Sequence, residues 1–290
     1  MTVLHWLTDP YSSEFMRHAL LAAVMVGIAG PLVGVWIVLR RLAYLGDAMS
    51  HSLLAGVAGA YLLGASITAG ALVAGLVMAA AIAAFTLHPR LRADAVIGAV
   101  ETALFAVGII LVSTRSDRIG VDLSAYLFGQ ITTVTTDDLR LNAALVAAVV
   151  VAVSWFGPDV RAATFDPVHA RLSGIRVAGL EIVLLVMLAV AIVVSLQTVG
   201  LLMSVSMLVT PAATARLVTS RTTTMTAVAV TVGVFAAVVG LTASYHLDTP
   251  PGATVALTAA AVLAATFLAH LPRRAHRHRR TAFVAPTPAP

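Results

Sequence analysis

The chain has 290 residues, 60% of them hydrophobic and 11% charged, with a net charge of +5 and a mean hydropathy of +0.97. Soluble domains carry about 25% charged residues, so a water-soluble enzyme is excluded and the chain reads as an all-α, polytopic helical membrane protein. Closed β-barrels would show alternating segments of about ten residues, whereas Gly179 to Leu196 is continuously apolar.

A spanning helix needs about 20 predominantly apolar residues, and nine candidates follow one another along the chain. They run near Met16 to Leu39, Gly46 to Leu63, Ile67 to Leu87, Ala95 to Ser113, Leu139 to Phe156, Gly179 to Gln197, Gly200 to Val218, Thr224 to Tyr245 and Ala253 to Leu271. Eight or nine transmembrane helices are expected. Residues 1–15 then form an external N-terminal segment, 16–271 the transmembrane domain and 272–290 a basic, Pro-rich tail expected to be disordered.

Charge orients the spans. Arg40 and Arg41, Arg90 and Arg92, Arg161, Arg171 and Arg176, Arg216 and Arg221, and five tail arginines fall on one side, which the positive-inside rule makes cytoplasmic. Asp117, Asp122, Asp137, Asp138 and Asp248 fall on the other, with Arg115, Arg118 and Arg140 as exceptions. The C-terminus is therefore expected inside, and the tail arginines read as a flank of the last span rather than a nucleic-acid site.

Ionisable groups within spans are expensive and mark function by default. Asp47 and His51 stand four residues apart and so share one face of the second helix. A carboxylate and an imidazole suit divalent manganese, iron or zinc, although the same pair could form a hydrogen bond that pins two helices. Glu101 in the fourth span is a weaker candidate for a metal or polar path, the alternative being a buried hydrogen bond. Glu181 lies within two turns of Arg176, which suggests an interfacial ion pair. The loop from Ser244 to Gly252 places His246 and Asp248 beside Pro250 and Pro251 at the expected external mouth, as an entry ligand set or a structural turn. Pro31 and Pro211 interrupt helical hydrogen bonding, and Pro211 is a candidate bend in a transport path. The chain has no cysteine, hence no thiolate ligand or thiol nucleophile.

On the inner side, Asp166 can cap a short helix, Pro167 fits its first turn and Gly174 its stop. A capped helix there suggests a docking element. Val168, Leu172 and Ile175 would supply its apolar contacts and Arg171 a polar rim.

These motifs taken together resemble a family. Gly46 to His51, the Asp166 to Gly174 helix, the stretch from Val199 through Thr210, Pro211 and Arg216, and Tyr245 to Gly252 are similar, in the same order, to the permease subunits of bacterial ABC importers for manganese, zinc and iron. Relative to that pattern, Ala55 stands where a proline is usual and Gln130 where an acidic residue is. The resemblance implies a type II-like importer permease in the cell membrane that pairs with a second copy of itself, and with the eight or so spans of that family it makes Gly200 to Val218, which carries Pro211, the candidate for a partial or re-entrant segment. It implies a cytoplasmic ATP-binding subunit that consumes ATP, and an external metal-binding protein that delivers the ion. It further implies that Asp47 and His51 contact the metal, that the metal is substrate rather than a resident cofactor, and that Asp166, Pro167, Ala170, Arg171, Leu172 and Gly174 form the coupling helix. The residues alone leave open a self-sufficient secondary carrier or channel driven by an ion gradient. An intramembrane hydrolase finds no supporting motif, and no phosphate-binding loop exists in a chain without lysine.

Overall fold

Among the residues described by the computed structural model, 9–86, 88, 90–114 and 134–281, every regular element is helical. A short 3-10 turn, Asp9–Ser12, leads into α1 (Glu14–Leu39), α2 (Ala43–Leu63), α3 (Ile67–Thr86) and α4 (Ala93–Thr114). Then come α5 (Thr136–Phe165), the short α6 (Pro167–Leu172), α7 (Val177–Val218), α8 (Thr222–Leu247) and α9 (Pro251–Thr281). Asp117, Asp122 and Gln130 lie outside the described residues, as do 1–8 and 282–290 of the two terminal segments.

Eight described segments are long and apolar enough to cross a membrane: α1, α3, α4, α5, two halves of α7, α8 and Pro251–His270 of α9. The helix outside that set is α2, whereas Gly200–Val218, which the resemblance makes the candidate for a partial segment, is long and apolar enough to be in it. With 21 residues α2 has the length, about 31 Å at 1.5 Å per residue, but Asp47, Ser50, His51 and Ser52 dilute its first half. Elsewhere the helices overrun their expected ends. Helix α5 continues from Phe156 through Pro158 to Phe165, which puts Arg161 on a helix rather than in a link, and the α9 backbone stays helical to Thr281, well into the basic tail.

The break in α7 is at Gly200, whose φ of 76° and ψ of 177° are open essentially to glycine alone, while the backbone stays helical through Pro211. It divides α7 into α7a (Val177–Leu196) and α7b (Gly200–Val218). Near its start, α7a reaches the end of α1, since Glu181 and Arg40 line one cavity. Helix α7b runs alongside α1 in the same direction: Met207 and Leu208 back onto Gly30 and Gly34, and Ala212 and Ala215 pack with Val35. The two halves are therefore an antiparallel hairpin.

That hairpin is the centre of the bundle. It packs against α1, α2, α3, α5, α8 and α9, and Leu188, Ile192, Met203, Met207 and Leu208 are fully buried on it. Lipid supplies no hydrophobic drive between helices, so close approach of backbones replaces it. At Gly34 a Cβ would collide with the Leu208 carbonyl of α7b. Helix α4 is peripheral by contrast, with 17% of its apolar window buried against 67% for α1.

The ends of the bundle differ in chemistry. Arg40, Thr86, Ala93, Arg171 and Glu181 meet at one, as the alternation of arginine along the chain anticipates. At the other, the Tyr11 hydroxyl bonds Thr242 Oγ1 at 2.7 Å, and His18 Nδ1 lies 3.4 Å from the Val134 carbonyl.

Candidate functional site

Helix α2 starts at the arginine-rich end just after Arg41 and ends at Gly64, whose φ of 65° is the left-handed stop of a helix C-terminus. Its buried face carries Leu45, Met49 and Leu53, and Ser50 and Ser52 are buried too, donating to the Gly46 and Ala48 carbonyls at 2.8 and 2.9 Å. Neither serine is exposed at the site. The face left open carries Tyr44, Asp47 and His51. His51 Nε2 stands 3.7 Å from Asp47 Oδ1, with side chains 33% and 42% exposed. That distance is too long for a hydrogen bond, and both groups lie on one helix. The two side chains are therefore not hydrogen-bonded to each other.

What flanks the pair comes from α4. The His51 ring meets Phe105 edge-on, with centroids 5.5 Å apart and planes at 72°. The Tyr44 hydroxyl donates a short hydrogen bond to Glu101 Oε2. Glu101 thus borders the same face from α4, held by a tyrosine one turn before Asp47. Tyr44 and Phe105 are the residues sequence reasoning missed. The signal was there: Tyr44 precedes Asp47 by three residues and Phe105 follows Glu101 by four, so each shares a helical face with its charged neighbour.

The outer candidates lie elsewhere. His246 and Asp248 stand at the end of α8, which packs on α1, α7 and α9, away from the start of α2. Asp248 adopts a φ of 49° as the helix cap, the Tyr245 and His246 rings meet at 5.4 Å, and Ser244 Oγ donates to the Thr249 carbonyl at 2.6 Å. Among the described residues no group of three or more His, Asp and Glu side chains converges, and Asp47 with His51 is a contact between a carboxylate and an imidazole.

Helix α6 is built as its caps require. Asp166 accepts from the His169 backbone N–H at 2.8 Å, Pro167 opens the helix, and Gly174 follows with a φ of 81°. Ala170 is fully buried, whereas Val168 and Leu172 are 66% and 83% exposed. Ile175 packs inward against the core instead of joining them. Arg171 lines the cavity shared with Arg40 and Glu181. The expected Glu181–Arg176 pair does not form: among the described residues the ion pairs are His51–Asp47, Arg92–Asp94 and Arg140–Asp137. Glu181 acts on Arg40 instead, whose pKa burial lowers and the Glu181 carboxylate partly restores.

A family model described as the ABC 3 transport family matches residues 12–270. The chain belongs to that family. The manganese transport system membrane protein MntC of Halalkalibacterium halodurans is 38% identical over 256 residues, covering 88% of this chain and 87% of that protein. The chelated iron transport system membrane protein YfeC of Yersinia pestis is 33% identical over 255 residues, covering 87% and 85%. A solved structure, PsaBC from Streptococcus pneumoniae in complex with Fab, superposes with a TM-score of 0.81 at 32% identity, covering 92% of this chain and 95% of that one. As an ABC 3 member the chain is a multi-pass membrane transport protein.

Proposed function

We propose that this chain is the membrane-spanning subunit of an ATP-driven importer that carries a divalent transition-metal ion into the cytoplasm of a bacterium. The observation that carries the reading is the half-exposed Asp47–His51 pair on an otherwise apolar bundle. A carboxylate facing hydrocarbon is untenable, so this face of α2 meets a second copy of the chain around a polar path. Two-fold symmetry presents the same patch from both subunits, so a pair close to the axis meets its own copy and two ligands become four. Oxygen and imidazole donors without thiolate suit manganese, iron and zinc. The names of the relatives put manganese first and iron second.

Glu101, held by Tyr44, borders the path one turn nearer the arginine-rich end. His246 and Asp248 stand at the opposite end, placed for entry of the ion. Energy comes from a separate ATP-binding subunit docked on α6 through Val168 and Leu172, with Ala170 as the anchor that fixes the helix to the bundle. An external metal-binding protein delivers the ion to the face where α8 ends.

The test is uptake of radioactive manganese by vesicles holding the permease with its ATPase and binding protein. Asp47→Ala and His51→Ala should each reduce uptake by more than the roughly 10–100-fold that losing a supporting residue costs, with dimers intact by size exclusion. Wild-type uptake in both variants overturns the site, and uptake without ATP overturns the energy source in favour of a secondary carrier.

A further inference from the structure

The cavity at the arginine-rich end has no part in the transport path described above. It measures about 730 Å³ and lies behind α2, on the side of Leu45 rather than of Asp47 and His51. Ile82, Ile182 and Leu185 give it apolar walls, and its charged groups are Arg40, Arg171 and Glu181.

Arg40 is incompletely satisfied. Its Nε donates to Thr164 Oγ1 at 3.1 Å, and Thr164 donates in turn to the Val160 carbonyl, but Nη2 is buried with no hydrogen-bond partner. A buried charged donor without an acceptor is costly, and the planar guanidinium fork matches phosphate geometry. Glu181 shares the cavity, yet no described arginine comes within 4.0 Å of it. The cavity thus offers cationic donors, one anionic acceptor and apolar walls. A ligand that answers all three has a phosphate, a hydrogen-bond donor and a hydrocarbon body.

We propose that this cavity binds the headgroup of an inner-leaflet phospholipid, with the phosphate on Arg40 and Arg171 and an ammonium or hydroxyl donor of the headgroup toward Glu181. Basic pockets between helices on the cytoplasmic side are where lipid headgroups bind; the inner-leaflet placement rests on the orientation proposed above. Ethanolamine and glycerol headgroups have such a donor and choline has none. Because Arg171 belongs to α6, an occupied cavity ties that helix to α1 and α7.

The test uses the complex of the permease with its ATPase, washed free of lipid in detergent. It is offered phosphatidylethanolamine, phosphatidylglycerol, phosphatidylcholine or diacylglycerol, and retained lipid is read by native mass spectrometry. A parallel arm offers inorganic phosphate and reads the thermal shift. One phosphatidylethanolamine or phosphatidylglycerol per protomer should be retained, phosphatidylcholine several-fold less and diacylglycerol not at all. Arg40→Gln should cut retention about tenfold, Arg40→Lys less, and Glu181→Gln should erase the preference over phosphatidylcholine. Unchanged retention in a dimeric Arg40→Gln complex, or equal retention of diacylglycerol, overturns the proposal. If Arg40→Gln fails to assemble, Glu181→Gln decides: an unaltered lipid preference overturns it equally. An Arg40-dependent shift with inorganic phosphate, together with no lipid retained, assigns the cavity to a soluble anion and overturns the lipid.

Discussion

At the scale of single residues, the decisive fact is that Asp47 and His51 face outward from their own subunit, 3.7 Å apart and half-exposed. Spacing alone put them on one helical face. It could not tell which way that face points, because α2 is bordered by small and apolar residues on every side. The partners from α4 were less legible, since Glu101 and Tyr44 are 57 positions apart and only the packing of α2 on α4 joins them. The Tyr44–Glu101 bond carries a prediction. Tyr44→Phe removes the hydrogen bond that holds Glu101, and the loss of such a supporting partner costs about 10–100-fold in metal affinity, so it should raise the half-saturating manganese concentration roughly tenfold or more without loss of dimer. Uptake titrations on the variant check this; an unaltered half-saturation point removes Glu101 from the path.

Helices succeed or fail here by their punctuation. The caps of α6 were readable because each depends on one residue type at one place: Asp166 for the cap bond, Pro167 for the first turn, Gly174 for positive φ. The inward turn of Ile175 was not, because it depends on contacts with the core beyond the end of the helix. Leu172, 83% exposed, should be replaceable by Asp without harm to the bundle, yet Leu172→Asp should abolish ATPase stimulation by the metal-loaded binding protein along with uptake. Asp166→Ala should do so more mildly, since a lost N-cap costs about 0.5–2 kcal/mol. Both are read in reconstituted vesicles, and normal coupling in Leu172→Asp excludes α6 as the docking helix. In α7 the break falls at Gly200, where the sequence starts its seventh span, while Pro211, the more conspicuous breaker, is tolerated by the backbone within α7b. Between α1 and α7b the contact is governed by Gly34. Gly34→Val should destabilise the bundle by about 1–3 kcal/mol, the usual cost of overpacking, visible as a lower thermal midpoint in detergent.

For the molecule as a whole, the class of fold was legible from composition, and the alternation of arginine-bearing links matches the way the structure gathers Arg40, Arg171 and the start of α7 at one end. The division of α7 was legible too, since Gly179–Gln197 and Gly200–Val218 read as consecutive spans; the central place of that hairpin was not, because it depends on packing against helices far away in the chain. Because the chain has no cysteine, single introduced cysteines report orientation directly. Ser66→Cys should react with an impermeant thiol reagent added outside intact cells, and Ser220→Cys only after the cells are opened; the reverse pattern inverts the proposed topology. The shortfall of α2 in apolarity also bears on how the protein is made. A helix that contains Asp47 and His51 enters lipid reluctantly when it leaves the ribosome, so it must wait at the insertion machinery until α3 and α4 emerge to shield it. A nascent chain cut after Gly64 should leave α2 outside the bilayer, and one extended past Thr114 should bring it in. An unpaired subunit would also expose that carboxylate to hydrocarbon, which gives the cell's membrane proteases a chemical mark by which to tell an orphan from an assembled transporter.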